Sequence, residues 1–186
     1  MNLGRAPTVG RAGDHSDLML LVAQGLGVGR LPVAPGTFGS LVGLGWTALL
    51  LQSRSPWLIL AGLLAGIVLS VWLTGQAERI LGQRDPASVV LDEIVAMPVC
   101  FAAWIGQEWV RLGQRPELGR LLGGSGWLWL VGLFLAFRFF DIVKPWPVRQ
   151  SQRLSGGWGV TVDDLLAALY VNAATLALGL GRATFS

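Results

Sequence analysis

The chain has 186 residues, of which 53% are hydrophobic and only 13% are charged. Soluble domains carry about 25% charged residues, so this composition excludes an ordinary soluble protein and indicates a membrane protein. The single cysteine and the single histidine exclude a disulfide framework within one chain and a metal site built from several thiolates or imidazoles. The net charge is +3, but no basic stripe is interleaved with aromatic residues, so we expect no nucleic-acid partner.

Residues 1–17 are predicted to form a flexible polar tail, and residues 18–186 a single membrane-embedded helical domain. Residues 18–26 are apolar but too few to span a bilayer, which takes about 20 residues. Acids precede them and no clear A-x-A cleavage site follows, which argues against a signal peptide. We therefore expect a re-entrant or interfacial segment here, followed by a glycine- and proline-rich stretch at residues 25–40.

Five more apolar stretches follow, at residues 41–52, 56–73, 89–105, 127–143 and 160–180. They lack the strict alternation of apolar and polar residues that a membrane β-barrel requires, and therefore predict membrane-spanning helices. Pro98 is expected to kink the third stretch, and the polar loop 106–126 is expected to hold a short surface helix. The predicted fold class is all-α, a polytopic membrane helical bundle of about five spans with a re-entrant or interfacial N-terminal segment.

Charged residues are costly inside a membrane, yet they occur at the ends of three predicted spans. The residues concerned are Asp92 and Glu93 in the third span, Asp141 and Lys144 at the end of the fourth, and Asp163 and Asp164 in the fifth. Because spans joined by short loops alternate in direction, all of these ends face the same side of the membrane as residues 25–40. The sequence thus predicts one polar site on one face, and the greater number of basic residues in the loops of that side places it in the cytoplasm.

Carboxylates without histidine or thiolate partners favour a hard divalent cation, Mg²⁺ before Zn²⁺. We expect them to lie in the first turns of their helices, where the helix dipole stabilises negative charge. An alternative interpretation makes them helix caps or partners of nearby arginines, but two acidic pairs on one side favour a metal. The predicted metal ligands are Asp92, Glu93, Asp163 and Asp164.

Arg138, Asp141 and Lys144 are spaced three residues apart, which puts them along one face of a helix. An ion-pair ladder at the membrane surface has the same spacing, although each pair in it would stabilise the protein little. We favour a functional interpretation, in which Asp141 binds the metal or attacks the substrate and the two cations hold phosphate oxygens. Residues 25–40 lack the P-loop pattern, but their backbone N–H groups and hydroxyls are suited to an anion.

Four segments of the chain resemble, in order, the signature blocks of the phosphatidylglycerophosphatase A family. They are LPVAPGTFGS, DPASVVLDEIVAM, FRFFDIVKPWP and GGWGVTVDDLLAALY, and the resemblance covers roughly residues 20–178. It implies a multi-pass enzyme of the bacterial inner membrane that uses Mg²⁺ to hydrolyse phosphatidylglycerophosphate to phosphatidylglycerol and inorganic phosphate in phospholipid biosynthesis. The residues that match the family's acids and bases are Asp92, Glu93, Asp141, Asp163, Asp164, Arg138 and Lys144.

Roles follow from the residues and the resemblance together, and the attacking group is either water or Asp141. The predicted catalytic residues are Asp141, Lys144, Asp92 and Asp164, and the predicted substrate-binding residues are Arg138, Gly36, Thr37 and Ser40. The expected partners are the lipid substrate and the bilayer, and the sequence is compatible with an oligomer.

The alternative function is an ion-coupled membrane transporter that uses the acidic cluster. A transporter would place its acids near the bilayer midplane and would usually show inverted repeats, whereas these acids lie at span ends. A CDP-alcohol phosphotransferase would carry a D-G-x₂-A-R motif, which this sequence lacks, and a non-catalytic scaffold would leave the acidic cluster unexplained.

Overall fold

The computed structural model describes residues 13–53, 55–114 and 116–184, without the side chains of residues 14 and 180–184. Within these residues the structure consists of helices and contains no strand, which confirms the all-α prediction. The predicted tail lies mostly outside the described residues, and residues 14–17 at its end form the first turn of a helix. The helices are α1 (Asp14–Ala23), a 3₁₀ helix (Gly25–Arg30), α2 (Pro35–Gln52), α3 (Pro56–Leu81), α4 (Leu91–Cys100), α5 (Ala102–Leu112), α6 (Leu118–Leu122), α7 (Gly126–Val143), α8 (Val148–Ser151) and α9 (Gly157–Thr184).

Three described helices are long and apolar enough to cross a membrane, namely α3, α7 and residues Gly157–Gly179 of α9. With 26 residues, α3 reaches about 39 Å, more than the roughly 30 Å of a hydrocarbon core. Large apolar side chains such as Leu64, Val68 and Leu135 are more than half exposed on α3 and α7, which is favourable in contact with lipid. These helices correspond to the second, fourth and fifth predicted spans.

The second span is longer than predicted. The sequence suggested an end at residue 73, but α3 continues to Leu81 because the residues that follow are mostly good helix formers. Gly82 ends the helix with a left-handed backbone conformation, φ 62°, which glycine adopts without steric cost.

The third predicted span is divided into α4 and α5, which meet at Phe101. Pro98 has no N–H and its ring disfavours a regular helix, so it interrupts the hydrogen-bond ladder shortly before the break. The predicted kink is thus confirmed and amounts to an end of the helix. The predicted short helix in the loop that follows is confirmed as α6.

An asparagine from α9 repairs the interrupted ladder. In a continuous helix the Val99 carbonyl would accept a hydrogen bond from the Ala103 N–H, four residues on. Here the Asn172 side chain stands between them, with Nδ2 donating to the Val99 oxygen at 2.8 Å and Oδ1 accepting from the Ala103 N–H at 2.6 Å. One side chain therefore satisfies both backbone groups and joins α9 to the break.

Glycines allow α2 to lie very close to α4, the central helix of the bundle. A Cβ atom on Gly39 would lie 2.8 Å from the Val90 Cβ, and one on Gly43 would lie 2.6 Å from the Met97 Cβ. Any side chain at these two positions would push the helices apart, as in other small-residue contacts between membrane helices. The close approach brings the first turns of α2 and α4 together.

Polar contacts and a small residue also fix the start of α9 against α3. A Cβ atom on Gly157 would lie 1.9 Å from the Val71 carbonyl oxygen, so only glycine fits there. One turn further, the hydroxyls of Ser70 and Thr161 are hydrogen-bonded at 2.9 Å. The first turns of α9 are thereby held beside α4, and the apolar core lies beyond them, between α4, α7 and α9.

Candidate active site

The predicted charged residues converge at one end of the bundle, where α4 and α9 begin and α7 ends. None of their side chains is more than 23% exposed, which is unusual for ionisable groups. The acid cluster, as we name this group, comprises Asp92 and Glu93 of α4, Arg138 and Asp141 of α7, Lys144 at the end of α7, and Asp163 and Asp164 of α9.

Three of the carboxylates form the innermost part of the cluster. Asp92, Glu93 and Asp164 each offer one oxygen, and these oxygens lie within 4.8 Å of one another. Asp92 Oδ1, Glu93 Oε2 and Asp164 Oδ2 are buried and have no hydrogen-bond partner among the described residues. Buried carboxylate oxygens without donors are strongly unfavourable, so a bound cation would stabilise this arrangement.

The donor set fits Mg²⁺. All three side chains supply hard oxygen atoms, and no sulfur or imidazole nitrogen of the described residues takes part. Mg²⁺ usually takes a small number of protein carboxylates and completes its shell with water or phosphate oxygens. Three buried carboxylate oxygens leave the other coordination positions of the metal open. They therefore suit Mg²⁺ better than a metal that is bound by protein atoms alone.

Asp163 is the predicted metal ligand that is not in this group of oxygens. Its Oδ2 accepts hydrogen bonds from Lys144 Nζ at 2.5 Å and from Gln152 Nε2 at 3.0 Å. Adjacent residues of a helix differ by about 100° in direction, so Asp163 and Asp164 face different partners. Gln152 is a site contact that sequence reasoning missed, because one polar residue in a polar loop carries no signal of its own.

Lys144 lies just beyond α7 and faces two carboxylates. Burial lowers its pKa, but the nearby charge of Asp163 and its hydrogen bond outweigh that effect, and Asp141 adds to it, so the pKa of Lys144 is raised above its usual range. Lys144 Nζ is 3.7 Å from Asp141 Oδ1. The residue therefore carries a permanent positive charge at the edge of the acid cluster.

Arg138 connects α7 to α2 and α4 through one nitrogen. Its Nη1 lies 2.9 Å from Asp141 Oδ2 and 4.0 Å from Glu93 Oε1, and it donates to Ser40 Oγ at 3.3 Å. Its Nε is buried and has no acceptor among the described residues. A guanidinium with a buried donor left over is suited to bind an anion.

The first turn of α2 forms one wall of the cluster. A Cβ atom on Gly36 would lie 2.3 Å from Glu93 Oε1 and 3.3 Å from the Arg138 guanidinium nitrogens, so any other residue there would displace these two side chains. Ser40 Oγ donates to the Gly36 carbonyl and accepts from Arg138. Thr37 is partly buried in the same turn, but no contact between its side chain and the cluster is seen in the described residues.

The expectation about helix dipoles is half right. Asp92 and Glu93 lie in the first turn of α4, where the dipole stabilises negative charge. α9 begins at Gly157, three residues earlier than the predicted span, so Asp163 and Asp164 lie beyond its first turn. The dipole effect falls off within one turn, and these two acids depend on their neighbours instead.

The model of the family described as phosphatidylglycerophosphatase A matches residues 21–179. The chain belongs to that family. Members of the phosphatidylglycerophosphatase A family are phosphatases, so this chain is an enzyme, and its apolar helices agree with a membrane protein. The family match spans every residue of the acid cluster.

Two curated relatives carry the name of this family, and a third carries a different phosphatase name. Phosphatidylglycerophosphatase A of Haemophilus influenzae is 36% identical over 153 residues, which cover 81% of this chain and 82% of the relative. The Escherichia coli protein of the same name is 32% identical over 151 residues, covering 80% of this chain and 76% of the relative. A Bacteroides thetaiotaomicron protein, named provisionally as a phosphatidylinositol-3-phosphatase, is 35% identical over 162 residues, covering 83% and 89%. No solved structure matches the chain.

Proposed function

We propose that the protein is a Mg²⁺-dependent lipid phosphatase that hydrolyses phosphatidylglycerophosphate to phosphatidylglycerol and inorganic phosphate in phospholipid biosynthesis. One observation carries the proposal: carboxylate oxygens without donors and an arginine N–H without an acceptor are buried in the same cluster, within the described residues. A divalent cation and a phosphate group together would satisfy both sets of atoms. The names of two relatives support the choice of lipid.

Asp92, Glu93 and Asp164 are the residues that would hold Mg²⁺. When bound, the ion supplies electrostatic stabilisation of the charge on the transferring phosphoryl group. Asp163 has a different role in this proposal from the one expected from sequence. Because it is occupied by Lys144 and Gln152, it serves to position the Lys144 ammonium beside the other charges.

Arg138 and Lys144 are the proposed phosphate-binding residues. Arg138 keeps a buried Nε donor, and its orientation is fixed by Asp141 and Ser40. The raised pKa of Lys144 makes it a poor proton donor, so its contribution is charge rather than acid catalysis. Gly36 supports this site by leaving room for the Glu93 and Arg138 side chains.

Water is the proposed attacking group. Asp141 is held by cations on both oxygens, at 2.9 Å from Arg138 and 3.7 Å from Lys144, which lowers its nucleophilicity. A water oxygen bonds to phosphorus as the bond from phosphorus to the lipid oxygen breaks. The proton that the water loses passes through the carboxylate oxygen of Asp92 or Asp164 that would not hold the metal to the departing lipid oxygen, which leaves as the alcohol. A rapid acid quench with ³²P-labelled substrate should therefore leave no label on the protein, and a labelled Asp141 would contradict this route.

The proposed membrane arrangement has five spans in the bacterial inner membrane, with the acid cluster at the cytoplasmic face. α3, α7 and α9 supply three spans, and we assign the others to α2 and to α4 with α5. α1 and the 3₁₀ helix are the proposed interfacial or re-entrant segment of a single domain that covers residues 18–186. Successive spans are expected to alternate in direction across the membrane. This is supported by the positions of three helices, because α7 ends at the acid cluster whereas α4 and α9 begin there.

The experiment that tests this function is phosphate release from phosphatidylglycerophosphate in detergent, measured with Mg²⁺ and with excess chelator. We expect release with Mg²⁺ and loss of release with the chelator. Phosphatidylinositol 3-phosphate, taken from the name of the third relative, serves as the competing substrate. A higher kcat/KM for the inositol lipid would contradict the proposed substrate, and full release in chelator would contradict the metal.

A second readout does not depend on turnover. If the three carboxylates bind Mg²⁺, adding the ion should raise the thermal unfolding midpoint of the wild-type protein, since a ligand that binds only the folded state stabilises it. Asp164→Asn should abolish that shift. An unchanged shift in this variant would remove Asp164 from the proposed metal site.

A further inference from the structure

A large cavity lies at the other end of the bundle from the acid cluster. Its volume is about 1420 Å³, and it is enclosed by α5, α6, the first residues of α7 and the last part of α9. Drug-sized binding pockets are typically about 300–1,000 Å³, so there is room for a larger ligand. α7 spans 18 residues between the two ends, which corresponds to about 27 Å, close to one hydrocarbon thickness.

The wall of this cavity combines two kinds of surface. Trp104, Trp129 and Leu176 contribute rings and an aliphatic side chain, while Glu108, Arg111 and Arg120 contribute charges. Glycines at the turn before α7 leave one side without bulky side chains. A ligand that fits both surfaces must be amphipathic.

The charged part of the wall favours an anion. Arg111 Nη2 and Arg120 Nε contact the same oxygen, Glu108 Oε2, at 2.7 and 3.1 Å. The two arginine N–H groups favour the ionised form of the Glu108 carboxylate. Two guanidinium groups therefore face one carboxylate, and one positive charge is left over.

The arginines have donors to spare. Their side chains are 59% and 47% exposed, and each uses only one nitrogen in its contact with Glu108. Leu122, Trp127 and Leu128 lie next to the cavity and expose more than half of their surface, which continues the apolar outer surface of the spans. Guanidinium groups with free donors pair well with phosphate, and basic pockets between membrane helices can hold anionic lipid headgroups.

We propose that this cavity binds an anionic glycerophospholipid of the leaflet opposite the acid cluster. Arg111 and Arg120 contact the headgroup phosphate, and Trp104 and Trp129 line the region of the glycerol and the acyl chains. The proposal does not rest on the phosphatase reaction, because no residue of the acid cluster lines the cavity.

Native mass spectrometry of the full chain in detergent tests the proposal, with dioleoylphosphatidylglycerol as the probe. Dioleoylphosphatidylcholine and inorganic phosphate are the comparison ligands. We expect the anionic lipid to be retained more strongly than the zwitterionic one, and Arg120→Gln to weaken its retention about five-fold. Arg149→Gln removes the same charge from an exposed position on α8, at the other end of the bundle, and should leave retention unchanged.

A lipid retained at the acid cluster must be told apart from one in the cavity. Arg138→Gln should abolish retention at the acid cluster and leave the lipid in the cavity. Arg120→Gln should weaken retention in the cavity and leave the lipid at the acid cluster. Arg111→Gln provides the same test if Arg120→Gln does not fold. Equal retention of both lipids, retention that neither arginine variant weakens, or displacement of the lipid by inorganic phosphate at the same concentration would each overturn the proposal.

Discussion

The two ends of the bundle use the same types of charged side chain in opposite ways. At the acid cluster, Asp92 and Asp164 are 6% and 3% exposed, and one oxygen of each lacks a partner among the described residues. At the cavity, Glu108 is satisfied by Arg111 and Arg120, and both arginines reach solvent. Unpaired charges of the first kind are costly to bury, whereas ion pairs of the second kind, whose arginines are exposed, contribute little to stability.

This difference shows how much can be inferred from whether a buried carboxylate has a partner. Unpaired buried carboxylates are costly unless a cation compensates them or they take up a proton, which supports the ligand that we propose for the acid cluster. At the cavity, Glu108 is paired with two arginines, so these charges are stable without a ligand. Their proposed role is to attract an anionic lipid. The lack of partners, rather than the presence of acids, therefore separates the candidate catalytic end from the candidate lipid-binding end.

The largest expected effect comes from removing one buried negative charge. Glu93→Gln keeps the size of the side chain but weakens the proposed metal site, and we expect phosphate release to fall by about 10²-fold or more. Glu117→Gln is the matched control, because Glu117 is exposed before α6 and outside both sites. Similar losses of phosphate release in Glu93→Gln and Glu117→Gln would contradict the proposal that catalysis depends on the acid cluster.

A smaller loss is expected when the wall of the acid cluster is moved rather than its charge removed. Gly36→Ala places a Cβ atom 2.3 Å from Glu93 Oε1, so Glu93 and Arg138 must shift. Displacements of this size can cost about 10²-fold in rate, and we expect a fall in kcat of about 10- to 100-fold in a folded protein.

Gly45→Ala is the control for that variant within the same helix. A Cβ atom on Gly45 meets nothing within 4 Å, and alanine favours a helix over glycine by about 0.5–1 kcal/mol. We expect unchanged turnover and equal or higher stability. Equal losses in the two glycine variants would show that α2 tolerates no alanine, and would remove the argument from Gly36.

The smallest effect concerns stability and the connection between the two ends. Asn172→Leu leaves the Val99 carbonyl and the Ala103 N–H unpaired, which should lower the free energy of unfolding by about 1–3 kcal/mol. Thr175→Val is the control, because the Thr175 hydroxyl bonds only to a carbonyl of its own helix. Reversible unfolding in mixed micelles measures both, and equal values would contradict the special role of Asn172.

Much of the candidate site could be predicted because membranes simplify topology. The alternation of spans was sufficient to predict that residues far apart in sequence, such as Asp92, Asp141 and Asp164, would meet at one end. Gly36 and Ser40 were found by the same argument. The kink at Pro98 followed from the chemistry of proline alone.

Other features depend on side-chain directions that no sequence pattern specifies. The separation of Asp163 from Asp164, and the contact of Gln152 with the former, follow from how α9 is rotated against α4 and α7. The early start of α9 at Gly157 depends on its fit against the Val71 carbonyl, which is a tertiary contact. The cavity was not predicted because its lining residues come from α5, α6, α7 and α9, which only the tertiary structure brings together.

The two hydrogen bonds of the Asn172 side chain also fix the position of α9 along α4. Asp164 and Asn172 are eight residues apart on α9, and Glu93 and Val99 are six apart on α4. If α9 slid along α4 by one residue, about 1.5 Å, both bonds of the amide would be lost at once. A one-residue insertion between Asp164 and Asn172 would turn the carboxylate by about 100° relative to the amide. The chain can therefore vary in its loops, but not in the length of this segment.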